Sequence, residues 1–192
     1  MPIQNRQRLL AFVLLVPVLA QRGLAQQSDT TQADTLATAT ARDSTALSVR
    51  ALYTRGDYTG AITAAEASLR TGHGSTDVQS WRLISMTRMP SSAPTALRAA
   101  RKMANMHPVT PSVWVALAAA AATVPDSMSV ALSASERALK LAPRDPATIW
   151  VRARVLTAAG RVDEARTLLN SVTPAIAADS LIVTERAALQ SH

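Results

Sequence analysis

Most of this chain places its apolar residues with the period of a helix. From about Arg42 onward the composition is dominated by alanine and leucine with scattered arginine, and the apolar residues fall three and four positions apart. No run alternates with period two for long, which is the pattern that a half-buried strand requires. The pattern therefore predicts an all-α body.

The first 25 residues follow a different pattern. Arg6 and Arg8 precede an unbroken apolar run from Leu9 to Ala20, and small residues come after it. This order is typical of a secretory signal peptide, here residues 1–25. The twelve residues of the run rise about 18 Å as a helix, well short of the roughly 20 residues that cross a bilayer. We therefore predict export, and no stable membrane span once the signal peptide is removed.

Small residues near the end of this segment predict where it is cleaved. Gly23 and Ala25 stand at the expected spacing before Gln26 and favour cleavage after Ala25, whereas Val18 and Ala20 offer a second site. The mature protein is then expected in the periplasm or the extracellular space. Residues 26–41 are polar and rich in threonine, so they bury too little apolar surface to offset the entropy of ordering, and we interpret them as a flexible leader.

The body repeats itself with a fixed period. Four segments, which begin at Thr54, Met89, Val124 and Ala158, align on one shared small residue. That residue is Ala61, Ala96, Ala131 and Ala165, at successive spacings of 35, 35 and 34 residues. A constant period of this length predicts helical hairpins that stack on one another, because a single hairpin cannot bury its apolar face alone.

Other positions recur in the same register. About fifteen residues before each shared alanine lies an apolar residue of the preceding helix, and in three repeats it is a tryptophan, Trp81, Trp114 or Trp150. Trp114 stands two residues further from its alanine than the others do, which predicts a longer first helix or turn in the third repeat. Glycine or proline interrupts the helical pattern inside each repeat, where a turn is predicted, at Gly56, Pro90, Pro125 and Gly160. Proline also follows the second helix of two repeats, at Pro108 and Pro143.

These features together resemble the tetratricopeptide repeat family. The resemblance is carried by the turn glycine, by Asp57-Tyr58 or Val162-Asp163-Glu164 before the shared alanine, and by an amphipathic second helix with a closing proline, as in SERALKLAPRDP from Ser135. It implies an all-α solenoid of about four hairpins over residues 42–174. The expected repeats cover approximately residues 42–74, 77–109, 110–144 and 146–174.

The last segment, residues 175–192, is predicted to form a C-terminal capping helix. Asp179 or Ser180 is suited to the N-cap position, and Leu181, Ile182 and Leu189 supply an apolar face. A solenoid needs such a helix because its final repeat otherwise exposes a hydrophobic face.

Candidate catalytic or metal-binding groups are sparse. The histidines, His73, His107 and His192, are predicted in loops or at the terminus, and no partner ligand stands at metal-binding spacing. The serines lack a nucleophile-elbow pattern, and the carboxylates stand mostly at helix starts, where the helix dipole favours them. We therefore predict no enzyme activity, no metal and no cofactor.

Charge narrows the class of partner. Of the twenty Lys and Arg residues, seventeen lie after residue 25, against thirteen Asp and Glu, which leaves a net charge of about +4. This mild excess in an exported protein argues against nucleic acid as a partner. The sequence also contains no cysteine, so the folded chain depends on packing instead of disulfides.

The remaining function is surface recognition, because stacked hairpins form a concave groove lined by their first helices. Five arginines are predicted on those helices, namely Arg50, Arg82, Arg88, Arg152 and Arg154. If they face the groove, they favour acidic peptide segments or a C-terminal carboxylate. The alternative is that they form a solvated face that keeps an alanine-rich protein soluble.

Three hypotheses for function follow. The first is a non-catalytic scaffold of the bacterial cell envelope that binds protein or peptide segments in its groove. The second is a structural protein that self-associates into homo-oligomers, and the third is an accessory subunit of a cell-wall enzyme. Degenerate repeats specify the scaffold and leave the ligand to a few groove residues.

Overall fold

The computed structural model describes residue 40 and residues 43–190. The predicted signal peptide and the predicted leader, apart from helical Thr40, lie outside these residues. All regular elements within the described part of the chain are helices, which confirms the predicted all-α class.

The helices pair as four hairpins in chain order, followed by a terminal helix. The first hairpin is α1 (43–54) and α2 (Tyr58–Arg70), and the second is α3 (Thr76–Met86) and α4 (Ala93–Met106). The third is α5 (Pro111–Ala121) and α6 (Met128–Leu141), and the fourth is α7 (Pro146–Ala158) and α8 (Val162–Asn170). The single turn α9 (Pro174–Ala177) leads to α10 (Ser180–Gln190).

The hairpins stack as a solenoid. The first helices α3, α5 and α7 contact one another in succession, and α10 contacts α7 as the next first helix would. Each of α2, α4 and α6 packs against the first helix of the next hairpin, and α8 packs against α10. Leu181, Ile182 and Leu189 are buried in this way, so α10 covers the exposed end of the fourth hairpin.

Side chains and prolines define where these helices begin. Asp57 accepts a hydrogen bond from the Gly60 amide at 2.8 Å, Ser75 accepts one from Val78, and Asp145 accepts one from Ala147. Each bond satisfies an amide that the first turn leaves without a partner. Proline stands in the first turn of α4, α5, α7 and α9, where its missing donor costs nothing.

The turn inside each hairpin has a characteristic backbone. The residue five positions before the shared alanine has a positive φ in three hairpins, namely Gly56 at 83°, Asp126 at 59° and Gly160 at 77°. In the second hairpin the same position is Ser91, within a 3-10 turn over Pro90–Ser92. The two hairpins that lack the turn glycine therefore form the equivalent turn with two different backbone conformations.

The core depends on small residues. The four shared alanines, Ala61, Ala96, Ala131 and Ala165, have no solvent exposure. Helix α5 contacts α3, α4, α6 and α7, and eight of its eleven residues are buried. Its alanine-rich sequence is apolar on every side, as expected for a helix with neighbours all round.

No helix among the described residues is long and apolar enough to cross a membrane.

Candidate functional site

An aromatic cluster joins the first helices on their shared inner side. Tyr53 of α1 lies 5.6 Å from Trp81 of α3 and 5.7 Å from Trp150 of α7, measured between ring centroids. Trp81 and Trp150 stack at 6.2 Å, and Tyr58 lies 5.4 Å from Tyr53. The row of first helices therefore curves until α1 reaches α7.

The repeat register explains why two tryptophans two repeats apart meet. Both Trp81 and Trp150 stand fifteen residues before their shared alanine, and the residue at that place in the third hairpin is Ala116. Ala116 is fully buried, and its methyl group leaves room for the two indoles to approach across α5. The large and small side chains thus alternate along the row.

Trp114 does not share this place. Its indole is half-buried, its Nε1 donates a hydrogen bond to the Pro108 carbonyl at 2.9 Å, and the Arg137 guanidinium lies 4.7 Å from its ring. The two-residue offset seen in the sequence therefore places the Trp114 side chain outside the cluster, where it packs against the loop before α5. The related positions inferred for all three tryptophans apply to Trp81 and Trp150 alone. Pro108 and Pro143 both lie in the loops between hairpins.

Two of the five arginines face the second helix of the preceding hairpin. Arg82 donates through Nε and Nη2 to Glu66 of α2, at 3.0 and 2.7 Å. Arg152 donates to the Leu132 carbonyl at 3.0 Å and to Ser135 Oγ at 3.1 Å, both on α6. These two guanidiniums stabilise the stacking of hairpins.

The other three arginines surround the aromatic cluster. Arg50 lies 5.6 Å from the Trp81 ring and Arg154 lies 5.8 Å from the Trp150 ring. Arg88 lies 5.1 Å from the Tyr58 ring and belongs to the turn after α3, so its predicted place on a first helix is wrong. All five arginines therefore have intramolecular partners, and their capacity to bind a peptide stays a prediction.

Two residues of the C-terminal segment complete this environment. Arg50 Nη2 donates to both carboxylate oxygens of Asp179, and Arg154 lies 3.7 Å from the carboxylate of Glu185. Glu185 is 5% exposed, and burial raises the pKa of its carboxyl although Arg154 and the Trp150 side chain act in the opposite direction. Burial likewise raises the pKa of the Tyr53 hydroxyl.

Sequence reasoning missed Tyr53 and Glu185 as members of this cluster. Tyr53 carried one signal, since it and Tyr58 are the only tyrosines and flank the first turn glycine. Glu185 is a single carboxylate on a helix, and nothing in its neighbours distinguishes it from a solvated residue.

A cleft opens beside the cluster, at the N-terminal ends of the first helices. Its volume is about 280 Å³, and side chains from the first helix or N-cap of all four hairpins line it. The buried side chains of Trp81, Ile84 and Val115 form its apolar base, and the exposed side chain of Leu47 lies at its edge. This combination can bind an extended segment with one apolar or long side chain inserted.

The cleft has more acidic than basic groups. Asp43, Asp77 and Asp145 line it together with one cation, Arg50, which Asp179 neutralises at 2.6 Å. Asp145 also caps α7, whereas Asp43 and Asp77 are exposed and form no ion pair within the described residues. The local field therefore favours a positively charged group.

The described residues contain no group of three histidine, cysteine or carboxylate side chains placed to bind a metal ion. His73 and His107 lie in the loops after α2 and α4, and His192 lies outside the described residues.

Comparison with known proteins agrees with this architecture. Residues 128–189 match the family model for the tetratricopeptide repeat, and no curated protein matches the sequence. The fold is similar to the crystal structure of a thermophilic TPR protein from Thermus thermophilus, with a TM-score of 0.56 and 18% identity. That match covers 77% of this chain and 82% of the other. The family match therefore covers the third hairpin's second helix, the fourth hairpin and the capping helix, and the structural comparison shows that the chain shares the fold of a tetratricopeptide repeat protein.

Proposed function

We propose that this protein is a non-catalytic interaction scaffold of the bacterial cell envelope that binds a partner segment in the cleft between its first helices. Tetratricopeptide repeat proteins are in general scaffolds for protein interactions. The observation that carries the proposal is the cleft itself, which gathers all four hairpins around an apolar floor with an exposed leucine at the edge. A preformed concave site with a few polar groups is what a partner segment requires.

The partner segment is basic. Asp43 and Asp77 present exposed carboxylates to the cleft, and Arg50 is already neutralised by Asp179. A lysine or arginine side chain of the partner lies with its methylene groups on Trp81 and Leu47 and its charged end near the carboxylates. An acidic segment, the partner first expected from the arginines, binds there only after Arg50 releases Asp179.

Peptide titration tests both the site and the sign of its charge. Two labelled peptides of equal length, one rich in lysine and leucine and one rich in glutamate and leucine, are compared by fluorescence anisotropy. We expect the lysine peptide to bind more tightly and its affinity to fall with added salt. Leu47→Arg removes the exposed leucine, adds a positive charge at the edge of the cleft and should weaken binding at least ten-fold, whereas Val183→Arg, at an exposed position of α10, is the matched control.

Three outcomes decide against this assignment. Tighter binding of the glutamate peptide supports the arginine hypothesis instead. Equal loss in both variants places the binding surface elsewhere. Concentration-dependent oligomers by light scattering, with no binding of either peptide, favour the structural self-associating protein.

Envelope location is tested separately. A fusion of residues 1–30 to a reporter enzyme that is active only outside the cytoplasm should be active, and Arg6→Glu with Arg8→Glu should abolish that activity. N-terminal sequencing of the exported chain should begin at Gln26. If the chain remains in the cytoplasm with residues 1–25 attached, the envelope role is contradicted. That result does not affect the proposal that the cleft binds a partner segment.

A further inference from the structure

A second surface combines exposed apolar side chains with positive charge. Met106 is 54% exposed, Val109 is 75% exposed and Leu141 is 37% exposed. They lie at the C-terminal ends of α4 and α6 and in the loop after α4, and we call them the apolar tip. Single exposed apolar residues are common in proteins, so the clustering of these three requires an explanation.

The repeat register places the parts of this surface side by side. Lys102 and Met106 of α4 stand 35 residues before Arg137 and Leu141 of α6, which is the spacing of the shared alanines. Residues in equivalent positions of adjacent hairpins lie on the same face of a solenoid. A direct contact also joins the two hairpins here, because Arg137 donates to the Pro108 carbonyl at 3.2 Å.

The pairing of a cation with a large apolar residue is confined to these two hairpins. The positions equivalent to Lys102 and Met106 are Ala67 and Thr71 in the first hairpin. In the fourth, at a spacing of 34 residues from Arg137 and Leu141, they are Ser171 and Ala175. The fold therefore does not require this combination.

Positive charge surrounds the apolar tip. Six exposed cations lie on α4, on the last turns of α6 and just after it, namely Arg98, Arg101, Lys102, Arg137, Lys140 and Arg144. One carboxylate on these helices, Glu136, is neutralised by Lys140 at 2.6 Å. The half-buried indole of Trp114 on α5, with Arg137 over its ring, places an amphipathic side chain against the loop that follows α4.

We propose that this surface binds an anionic lipid bilayer. The apolar tip inserts at the boundary between headgroups and acyl chains, Trp114 lies at headgroup level, and the cations contact lipid phosphates. Charge complementarity selects an anionic partner, and the small size of the apolar tip selects a bilayer over an acidic protein. A stable protein interface needs about 800 Å² on each side, whereas each cation near an anionic bilayer adds to the affinity by itself.

Vesicle co-sedimentation tests this proposal. The chain from Gln26 onward is used, because the apolar run before it would itself enter vesicles and the compact unit Ala39–His192 lies within it. Binding to vesicles of phosphatidylcholine with one third phosphatidylglycerol is compared with binding to phosphatidylcholine alone. We expect binding to the anionic vesicles and its loss at high salt.

Matched variants locate the surface. Val109→Asp should weaken vesicle binding at least ten-fold, and Val183→Asp, at another exposed apolar position, should not. Arg101→Gln with Lys102→Gln should weaken binding roughly five-fold for each cation, whereas Arg55→Gln with Arg70→Gln removes the same charge elsewhere and should leave binding nearly unchanged. Circular dichroism confirms that each variant is folded.

Either of two results overturns the proposal. The first is no preference of the unchanged chain for anionic vesicles. The second is equal binding by Val109→Asp and Val183→Asp. Binding of a polyglutamate peptide that Arg101→Gln with Lys102→Gln abolishes, without vesicle binding, would assign the surface to an acidic protein. These results are separate from the peptide test of the cleft, because Val109, Arg101 and Lys102 do not line it.

Discussion

Arg50 on the first described helix donates two hydrogen bonds to Asp179, 129 residues later, at 2.6 and 2.7 Å. The same carboxylate accepts a hydrogen bond from the Leu181 amide at 3.0 Å and so caps α10. One residue therefore both starts the capping helix and links it to the first hairpin. This link therefore joins the first and last members of the row of helices beside the aromatic cluster.

Asp179→Asn tests that link and retains a side chain able to cap α10. The two side chains are 19% and 21% exposed, so the pair is only weakly screened by water. We expect the free energy of unfolding to fall by about 1–3 kcal/mol, measured by chemical denaturation. Asp163→Asn is the control, since Asp163 pairs with Arg166 at 3.1 Å but is 97% exposed, and its loss should cost less than about 0.5 kcal/mol.

A double-mutant cycle with Arg50→Gln separates the pair from the rest of the site. If the pair couples the two ends of the solenoid, the double variant should be more stable than the sum of the two single losses implies. Strict additivity would show that Arg50 and Asp179 stabilise their own neighbourhoods independently.

The tryptophans should differ in their contribution to stability. Trp150 is 2% exposed inside the cluster, so Trp150→Ala should lower the free energy of unfolding by about 3–5 kcal/mol. Trp114 of α5 is half-buried against the preceding loop, and Trp114→Ala should cost about 1–2 kcal/mol. Thermal melts of the two variants give the comparison. Equal losses would show that the loop around Pro108 contributes as much to the core as the cluster does.

The helical architecture could be predicted because it depends on local and periodic signals. Shared alanines at a constant spacing, turn residues and N-cap residues each act over a few positions, and the structure has a helix or turn at each. The pairing of Arg50 with Asp179 depends instead on how far the stack curves. Curvature is the sum of small rotations between hairpins, and no single residue of the sequence reports it.

The environment of the arginines shows the same limit. The sequence placed Arg82 and Arg152 on the correct helices, but which neighbour each contacts depends on the rotation of the helix about its axis. Both turn toward the preceding hairpin and away from the cleft. The sequence explains most carboxylates, Asp77 among them, by their place at helix starts, and the meeting of Asp43, Asp77 and Asp145 around one cavity is visible only in the assembled stack.

Substitutions at two equivalent turn positions should change the stability of the protein in opposite directions. Gly160→Ala introduces a side chain at φ 77°, where no atom lies within 4 Å of the new Cβ, so its cost of about 1–2 kcal/mol is entirely conformational. Asp126→Gly relieves the same strain at φ 59° and should stabilise the protein by a few tenths to about 1 kcal/mol.

Ser91→Gly is the control for these turns. Ser91 lies at the equivalent position within the 3-10 turn and has no positive φ. Glycine relieves no strain there and loses more conformational freedom on folding, so Ser91→Gly should destabilise the protein by about 0.5–1 kcal/mol. Stabilisation by glycine at both Ser91 and Asp126 would contradict the conformational account. The measurement is chemical denaturation of all three variants under one set of conditions.

Glu185 should make stability depend on pH in a defined direction. Burial raises the pKa of its carboxyl in the folded protein above the unfolded value near 4.5, so between these two values the folded state binds more protons than the unfolded state. Stability therefore falls as the pH rises from the unfolded pKa through the folded pKa. The glutamine side chain in Glu185→Gln is uncharged at every pH. The stability of this variant relative to the unchanged protein should therefore increase as the pH rises across this range.

Unfolding free energies between about pH 3 and pH 7.5 give the measurement. Glu164→Gln is the control, for which the opposite sign is expected. Its hydrogen bond with Arg161 lowers the pKa of Glu164, so the unchanged protein should gain stability relative to that variant as the pH rises through the lowered and then the ordinary value. Because Glu164 is exposed, its effect should be small. A stability difference for Glu185→Gln that does not vary with pH would show that Arg154, at 3.7 Å, compensates the burial of the carboxylate in full.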